Sequence, residues 1–146
     1  MNTIDPASCI RVAIADDHSL VRAGMRRFIA SFADLHFAGQ AGSAEEALTL
    51  AQGGGIDVLL LDVNMSGRSG LQILPLLRQI APRMQVLVVS AQPTAAAEGP
   101  ALRAGAFAYL EKPVHPRALE RAIRSAAEAA EAAGGAANDN RFGQRG

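Results

Sequence analysis

Aliphatic runs too short for helices alternate along this chain with longer segments of helical period. Ile10-Arg11-Val12-Ala13-Ile14-Ala15, Phe37 to Ala41, Ile56-Asp57-Val58-Leu59-Leu60-Leu61-Asp62, Met84-Gln85-Val86-Leu87-Val88-Val89 and Phe107-Ala108-Tyr109-Leu110-Glu111 read as five strands. The third and fourth are nearly unbroken in large apolar residues, as expected of strands buried on both faces of a parallel sheet. Gly53-Gly54-Gly55 and Ser66-Gly67 bound the third of them.

Helices are predicted between the strands. Leu20, Gly24, Phe28 and Phe32, with Val21, Met25 and Ile29, mark an apolar stripe at i, i+4 spacing that leaves Arg22, Arg26 and Arg27 mostly outside it. Ser43 followed by Glu46 is a capping-box start for a second helix, Ala44 to Gln52, which Gly53 stops. Ser69 caps a third, with Leu71, Leu74, Leu77 and Ile80 on its apolar face. Pro75 predicts a kink there, or a start late enough to put the proline in the first turn. Pro93, Gly99 and Pro100 predict a short, kinked or mobile segment from Gln92 to Ala104, with Gly105 at the C′ position. The last helix is expected from near Pro116 through Leu119, Ile123 and Ala126 to Ala133, with Gly134-Gly135 ending it. Asn138 to Gly146 has no period and reads as disordered.

The alternation predicts an α/β fold: a three-layer, doubly wound (βα)5 domain around a five-stranded parallel sheet. An N-terminal extension spans residues 1–9, the domain residues 10–133 and a tail residues 134–146. At 146 residues and 49% hydrophobic, the chain is long and apolar enough for one core. Fourteen basic residues balance fourteen acidic ones, so no net field draws it to nucleic acid or an anionic membrane. The apolar runs fall short of a membrane span, and Met1 to Cys9 lacks the features of a signal peptide, so a cytoplasmic protein is expected. Cys9, the one cysteine, excludes an internal disulfide and a cysteine-based zinc site.

The candidate chemistry collects just after strands: Asp16 and Asp17 after the first, Asp62 after the third, Ser90 after the fourth, Lys112 after the fifth. Ligands of open α/β sheets bind at that carboxyl edge. Any one of these residues alone reads as blandly as a helix cap or a strand-end hydroxyl; together they make a site. Carboxylates gathered in one place repel, which a divalent cation relieves, and hard oxygen donors beside a phosphate suit Mg²⁺. Lys112 is the only lysine among thirteen arginines, a compact point charge fit to meet a phosphate oxygen. The chemistry expected is phosphoryl transfer onto the Asp62 carboxylate.

Ala15-Asp16-Asp17-His18, Leu61-Asp62-Val63-Asn64-Met65-Ser66-Gly67, Val89-Ser90-Ala91 and Arg103 to Pro113 together resemble the receiver domains of two-component response regulators, over Ile10 to about Ala127. Asp16-Asp17-His18 with Leu20 to Gly24 further resembles receivers that head DNA-binding regulators. The resemblance implies a flavodoxin-like receiver fold, with Asp62 as phosphoacceptor and Asp16, Asp17, Asp62 and the Asn64 carbonyl as Mg²⁺ ligands. It makes Ser90 and Lys112 the phosphate-binding pair, Ser90 and Tyr109 the switch, and Lys112-Pro113 a cis peptide. It implies a histidine kinase or histidine phosphotransfer protein as donor and a protein target on the face of the fourth helix, fifth strand and fifth helix.

Ser66 stands where the family usually has proline, which predicts a less rigid loop after Asp62. The residues after Gly134-Gly135 are too few for a packed output domain, so the expectation is a single-domain regulator, not itself an enzyme, that binds neither nucleic acid nor membrane directly. An alternative is a phosphorylation-independent binding or homodimerisation module that uses the alanine-rich last helix. An aspartate-nucleophile phosphatase is disfavoured, because Asn64 occupies the position where such enzymes carry a second acid. Asn64 and Gln92 are instead candidates for positioning water during slow loss of phosphate from Asp62.

Overall fold

A computed structural model describes residues 9–65 and 68–145, with side chains described as far as residue 133. Five strands, β1 (Ile10–Ala15), β2 (Leu35–Ala41), β3 (Val58–Leu61), β4 (Gln85–Ser90) and β5 (Ala108–Glu111), alternate with α1 (Ser19–Ala30), α2 (Ala44–Gln52), α3 (Gly70–Ile80), α4 (Thr94–Ala104) and α5 (Pro116–Arg145). The strands pair in parallel in the order β2-β1-β3-β4-β5. The predicted doubly wound sheet is therefore the observed one, and its order reverses beside β1 and β3, where a crevice opens at the carboxyl edge.

Alternate residues of each central strand face opposite layers, as the two-residue period requires. Ala13, Ala15, Leu59, Leu61, Val86 and Val88 join Ala47, Ala51, Ile73, Leu74, Leu77, Ala97 and Ala101 in the core under α2, α3 and α4. Val12, Ile14, Val58, Leu60 and Leu87 join Ile29, Leu119, Ile123 and Ala126 in the core under α1 and α5. Burial on both faces is why these strands carry no polar alternation.

Several helices differ from expectation in instructive ways. On α1 Ile29 is fully buried and Val21, Met25 and Phe28 are partly buried, while Leu20 is 85% exposed and Gly24 is exposed. Leu20, in the first turn, and Gly24, one turn on, thus lie on an edge of the predicted stripe that faces solvent. Arg22, by contrast, is partly buried and donates to the Asp16 carbonyl at 2.6 Å. In α3 the capping box at Ser69 and Gln72 forms, but the helix starts at Gly70, so Pro75 sits in its interior. Pro75 is on the exposed face, where the Leu71 carbonyl that it leaves without a donor can meet water.

α4 is a continuous eleven-residue helix despite Gly99 and Pro100, and is not the short segment that was one form of the expectation. Ala97 and Ala101, one turn apart, bury against the sheet, and tertiary packing overrides propensity. Pro93 supplies no cap; Glu111 of β5 does so from across the edge, its Oε1 accepting from the Thr94 N–H at 3.0 Å and the Thr94 hydroxyl at 2.8 Å. Gly105 ends the helix in the left-handed region at φ +117°, as expected. α5 continues past Gly134-Gly135 to Arg145, where the sequence reading ended it and placed a disordered tail. Glycine keeps its N–H, so it weakens a helix by about 1 kcal/mol without breaking the bond ladder as proline would. Of the N-terminal extension, only Cys9 falls within the described residues, and Ser66 lies outside them.

Gly70 is held by close approach. Its N–H donates to the Val63 carbonyl at 3.0 Å, and a Cβ there would lie 2.8 Å from the Asp62 carbonyl oxygen and 2.9 Å from the Val63 Cα. Gly70→Ala is expected to destabilise the fold by about 1–3 kcal/mol in urea unfolding, because backbone must shift to admit the methyl. A second expectation concerns the Arg124–Asp34 pair, with contacts of 2.6 and 3.2 Å, which ties α5 to the turn before β2. Hydrogen bonding from Arg124 holds the Asp34 carboxyl below its usual range against slight desolvation. A carboxyl lowered in the fold contributes stability above its unfolded pKa and loses it as pH falls through the folded one. Asp34→Asn should therefore cost about 0.5–1 kcal/mol at neutral pH, with the difference from the parent vanishing in acid, as thermal unfolding across pH would show.

Candidate functional site

Parallel register brings the acids together. Ala15 pairs with Leu61, so β1 and β3 end level, while Leu61 pairs with Val88 and β4 runs two residues further to Ser90. The Asp62 N–H donates to the Ala15 carbonyl at 2.9 Å, and the Asp16 N–H to the Ala41 carbonyl at 3.0 Å. The ladder thus carries one residue beyond each strand and fixes both acids at the edge. On the far side the Lys112 N–H donates to the Ser90 carbonyl at 2.7 Å, which seats Lys112 beside the end of β4.

Asp16 and Asp62 are 2% and 4% exposed. Lys112 Nζ lies 3.4 Å from Asp16 Oδ2 and 3.6 Å from Asp62 Oδ2, bridging the two carboxylates. Each acid also accepts from the backbone two residues on: Asp16 Oδ1 from the His18 N–H at 2.8 Å, Asp62 Oδ1 from the Asn64 N–H at 3.0 Å. The His18 ring nitrogen Nδ1 stands 2.9 Å from Asp16 Oδ1 and 3.1 Å from Asp17 Oδ1.

The two buried acids divide their charge unequally. Burial opposes ionisation at Asp16, but the His18 bonds and the Lys112 charge outweigh it and hold that carboxyl below its usual range. At Asp62 burial dominates, joined by the neighbouring Asp16 charge, and raises the carboxyl despite the Asn64 N–H and Lys112. One lysine therefore leaves the pair undercompensated. A ligand oxygen from each of Asp16, Asp17 and Asp62 and a ring nitrogen of His18 all lie within 4.8 Å of one another. Hard oxygens at that spacing, with negative charge in excess, fit a divalent cation such as Mg²⁺.

Ser90 and Tyr109 meet through the backbone of one residue, Gln92. The fully buried Ser90 Oγ accepts from the Gln92 N–H at 3.2 Å, and the Tyr109 hydroxyl donates to the Gln92 carbonyl at 2.6 Å. Tyr109 is 7% exposed, so its ring is turned inward. Lys112-Pro113 is cis, as expected.

A family profile described as the response regulator receiver domain matches residues 12–124. The chain belongs to the response regulator receiver family. It is 35% identical over 122 residues to the nitrate/nitrite response regulator protein NarP of Escherichia coli K12, covering 84% of this chain and 57% of that protein. It is 36% identical to the transcriptional regulatory protein YxjL of Bacillus subtilis, covering 81% and 54%. The chain thus spans little more than half the length of these curated relatives. Among solved structures, the receiver domain of a NarL-type regulator from Mycobacterium tuberculosis superposes with TM-score 0.77 at 31% identity, covering 83% of this chain and 98% of that one. A LuxR-family response regulator from Aurantimonas gives 0.76 at 30% identity, covering 83% and 86%. Receivers of this family are phosphoacceptors of two-component systems and bind Mg²⁺ at an acidic pocket.

The predicted Asp16, Asp17, Asp62 and Lys112 converge in this receiver. Ser90 and Tyr109 stand at the same edge, joined by the Gln92 backbone, which side-chain motifs cannot reveal. Asn64 is exposed and touches Asp62 through its backbone N–H. His18, Arg22 and Glu111 were missed as contributors. For His18 the signal was available, since it directly follows the acid pair.

Lys112→Met removes the cation that, among the described residues, touches both acids, and should raise the Asp62 carboxyl further, which ¹³C NMR of metal-free protein would read. A carboxyl raised in the fold keeps protons that the unfolded chain has released, so stability falls as pH climbs from the usual carboxylate value through the raised one. The variant should lose more stability over that window than the parent, and Mg²⁺ should recover part of it.

Proposed function

We propose that Asp62 of this receiver accepts a phosphoryl group from a phosphohistidine of a histidine kinase or phosphotransfer protein in the cytoplasm. The observation carrying this reading is a buried carboxylate at a parallel-sheet edge, undercompensated by the single ammonium that bridges it to a second acid. Asp16, Asp17, Asp62 and the Asn64 carbonyl would hold Mg²⁺, which when bound supplies a counter-charge for phosphoryl oxygens. In-line attack by an Asp62 oxygen forms an acyl phosphate as the phosphorus–nitrogen bond to the donor histidine breaks. Lys112 neutralises charge on the transferred group, and the Ser90 hydroxyl donates to a phosphoryl oxygen.

Once Ser90 turns to the phosphate, the Gln92 N–H loses its acceptor, and the bond between Gln92 and Tyr109 moves with it. The coupling is a shift between two arrangements of Ser90 and Tyr109, read by a protein partner at the α4, β5 and α5 face. Residues 10–133 form the receiver unit in this reading, with slow loss of phosphate as its only turnover. Intact mass after incubation with Mg²⁺ and acetyl phosphate is expected to show one added phosphoryl group, absent without Mg²⁺ and absent in Asp62→Ala. A folded parent that stays unlabelled while a known receiver is labelled would overturn the proposal in favour of a phosphorylation-independent binding module.

A further inference from the structure

His18 is the N-cap residue of α1, yet its side chain makes no capping bond. Its ring is turned back over the site, with Nδ1 within 3.1 Å of an oxygen of both Asp16 and Asp17. The backbone holds it there, since the His18 N–H donates to Asp16 Oδ1 and the Arg22 N–H donates to the His18 carbonyl at 3.0 Å. The ring is 62% exposed, so no packing confines it to its present hydrogen bonds. One nitrogen thus joins three carboxylate oxygens within a 4.8 Å span.

Imidazole and carboxylate ligands differ in what they select. Mg²⁺ is served by oxygen donors and water, whereas a ring nitrogen adds affinity chiefly for borderline cations such as Zn²⁺. Zn²⁺ favours four ligands in a tetrahedron, and a site that fills all four from the protein leaves no open position. Mg²⁺ in the same acids keeps several positions for water or phosphoryl oxygens.

We infer that His18 makes the acidic pocket a zinc site as well as a magnesium site, and that zinc held by His18, Asp16, Asp17 and Asp62 shuts the receiver to phosphorylation. With all four zinc positions taken by the protein, no vacant position is left at the metal for a phosphoryl oxygen of the incoming group, as Mg²⁺ would offer. The inference rests on the reading of the three acids as metal-holding, and names a regulator of that site.

Calorimetric titration of the metal-free full chain with Zn²⁺, with and without excess Mg²⁺, isolates this site from zinc bound elsewhere, because only zinc sharing the acids is displaced. In His18→Gln the affinity of the Mg²⁺-displaceable zinc should fall at least about tenfold, with Mg²⁺ affinity held within about twofold. Micromolar-range zinc should also slow acetyl phosphate labelling of the parent far more than of His18→Gln. Equal zinc affinity in the two proteins, or equal losses of zinc and magnesium affinity, would overturn the role of His18 alone. Mg²⁺ binding undiminished in Asp17→Asn would overturn the acid-site reading beneath it.

Discussion

Two carboxylates buried against each other, with one ammonium between them, set the terms for the rest of this molecule. Ionised acids are costly to desolvate, and only hydrogen bonds and an opposite charge make their burial tolerable. Here the backbone supplies the bonds: the N–H groups of His18 and Asn64 reach back to Asp16 and Asp62. Those turns exist because the strands end where they do, since each acid's own N–H still belongs to the ladder of the neighbouring strand. The polar edge and the apolar sheet are therefore one construction. A shift in β1–β3 register would move the acids and turn the wrong side chains into both cores.

The division of helices follows from the same sheet. α1 and α5 cover one face, α2, α3 and α4 the other, and the acids lie where the sheet order reverses between them. From there a line of hydrogen bonds leads away: Ser90 to the Gln92 peptide, and Gln92 to Tyr109 on β5. Glu111, two residues along that strand, caps α4. Contiguity alone does not make a signalling route; a part with two arrangements does. In the proposed reading Tyr109 is such a part, its ring turned inward and its hydroxyl held by the Gln92 carbonyl.

The sheet was legible because strands buried on both faces must be written as aliphatic runs, and because every chemical residue fell at a run's end. Asp16, Asp62, Ser90 and Lys112 were thus placeable before any coordinates. What escaped was whatever depends on partners distant in sequence. Leu20 shares the period of the α1 stripe, but period does not reveal that this edge of the stripe faces solvent. Proline and glycine at 93, 99 and 100 argue against α4 locally, and nothing local shows that Glu111 will cap it or that Ala97 and Ala101 will find a core. Gly70 reads as an ordinary helix start until the Asp62 carbonyl is seen beneath it. Gln92 acts through its backbone, which every residue shares, so its identity gives no sign of the role.

α4 stands near the limit of what packing can hold. Its N-cap is a proline, its buried side chains are two alanines, and its interior carries a glycine and a proline that together weaken it by several kcal/mol relative to alanine. Methyl-sized burial contributes little against that, so the Glu111 bonds to Thr94 and the left-handed close at Gly105 carry an outsized share. A single net hydrogen bond is worth about 1 kcal/mol, so the two from Thr94 to Glu111 are a material part of what holds the first turn. In the proposed reading, rearranging a bond at Ser90 or Tyr109 bears more on this helix than on α2 and α3, which are capped by their own serines and buried on larger or more numerous side chains. On that same proposed reading, the residues that make α4 unpromising as a helix are also what makes its position responsive to the site.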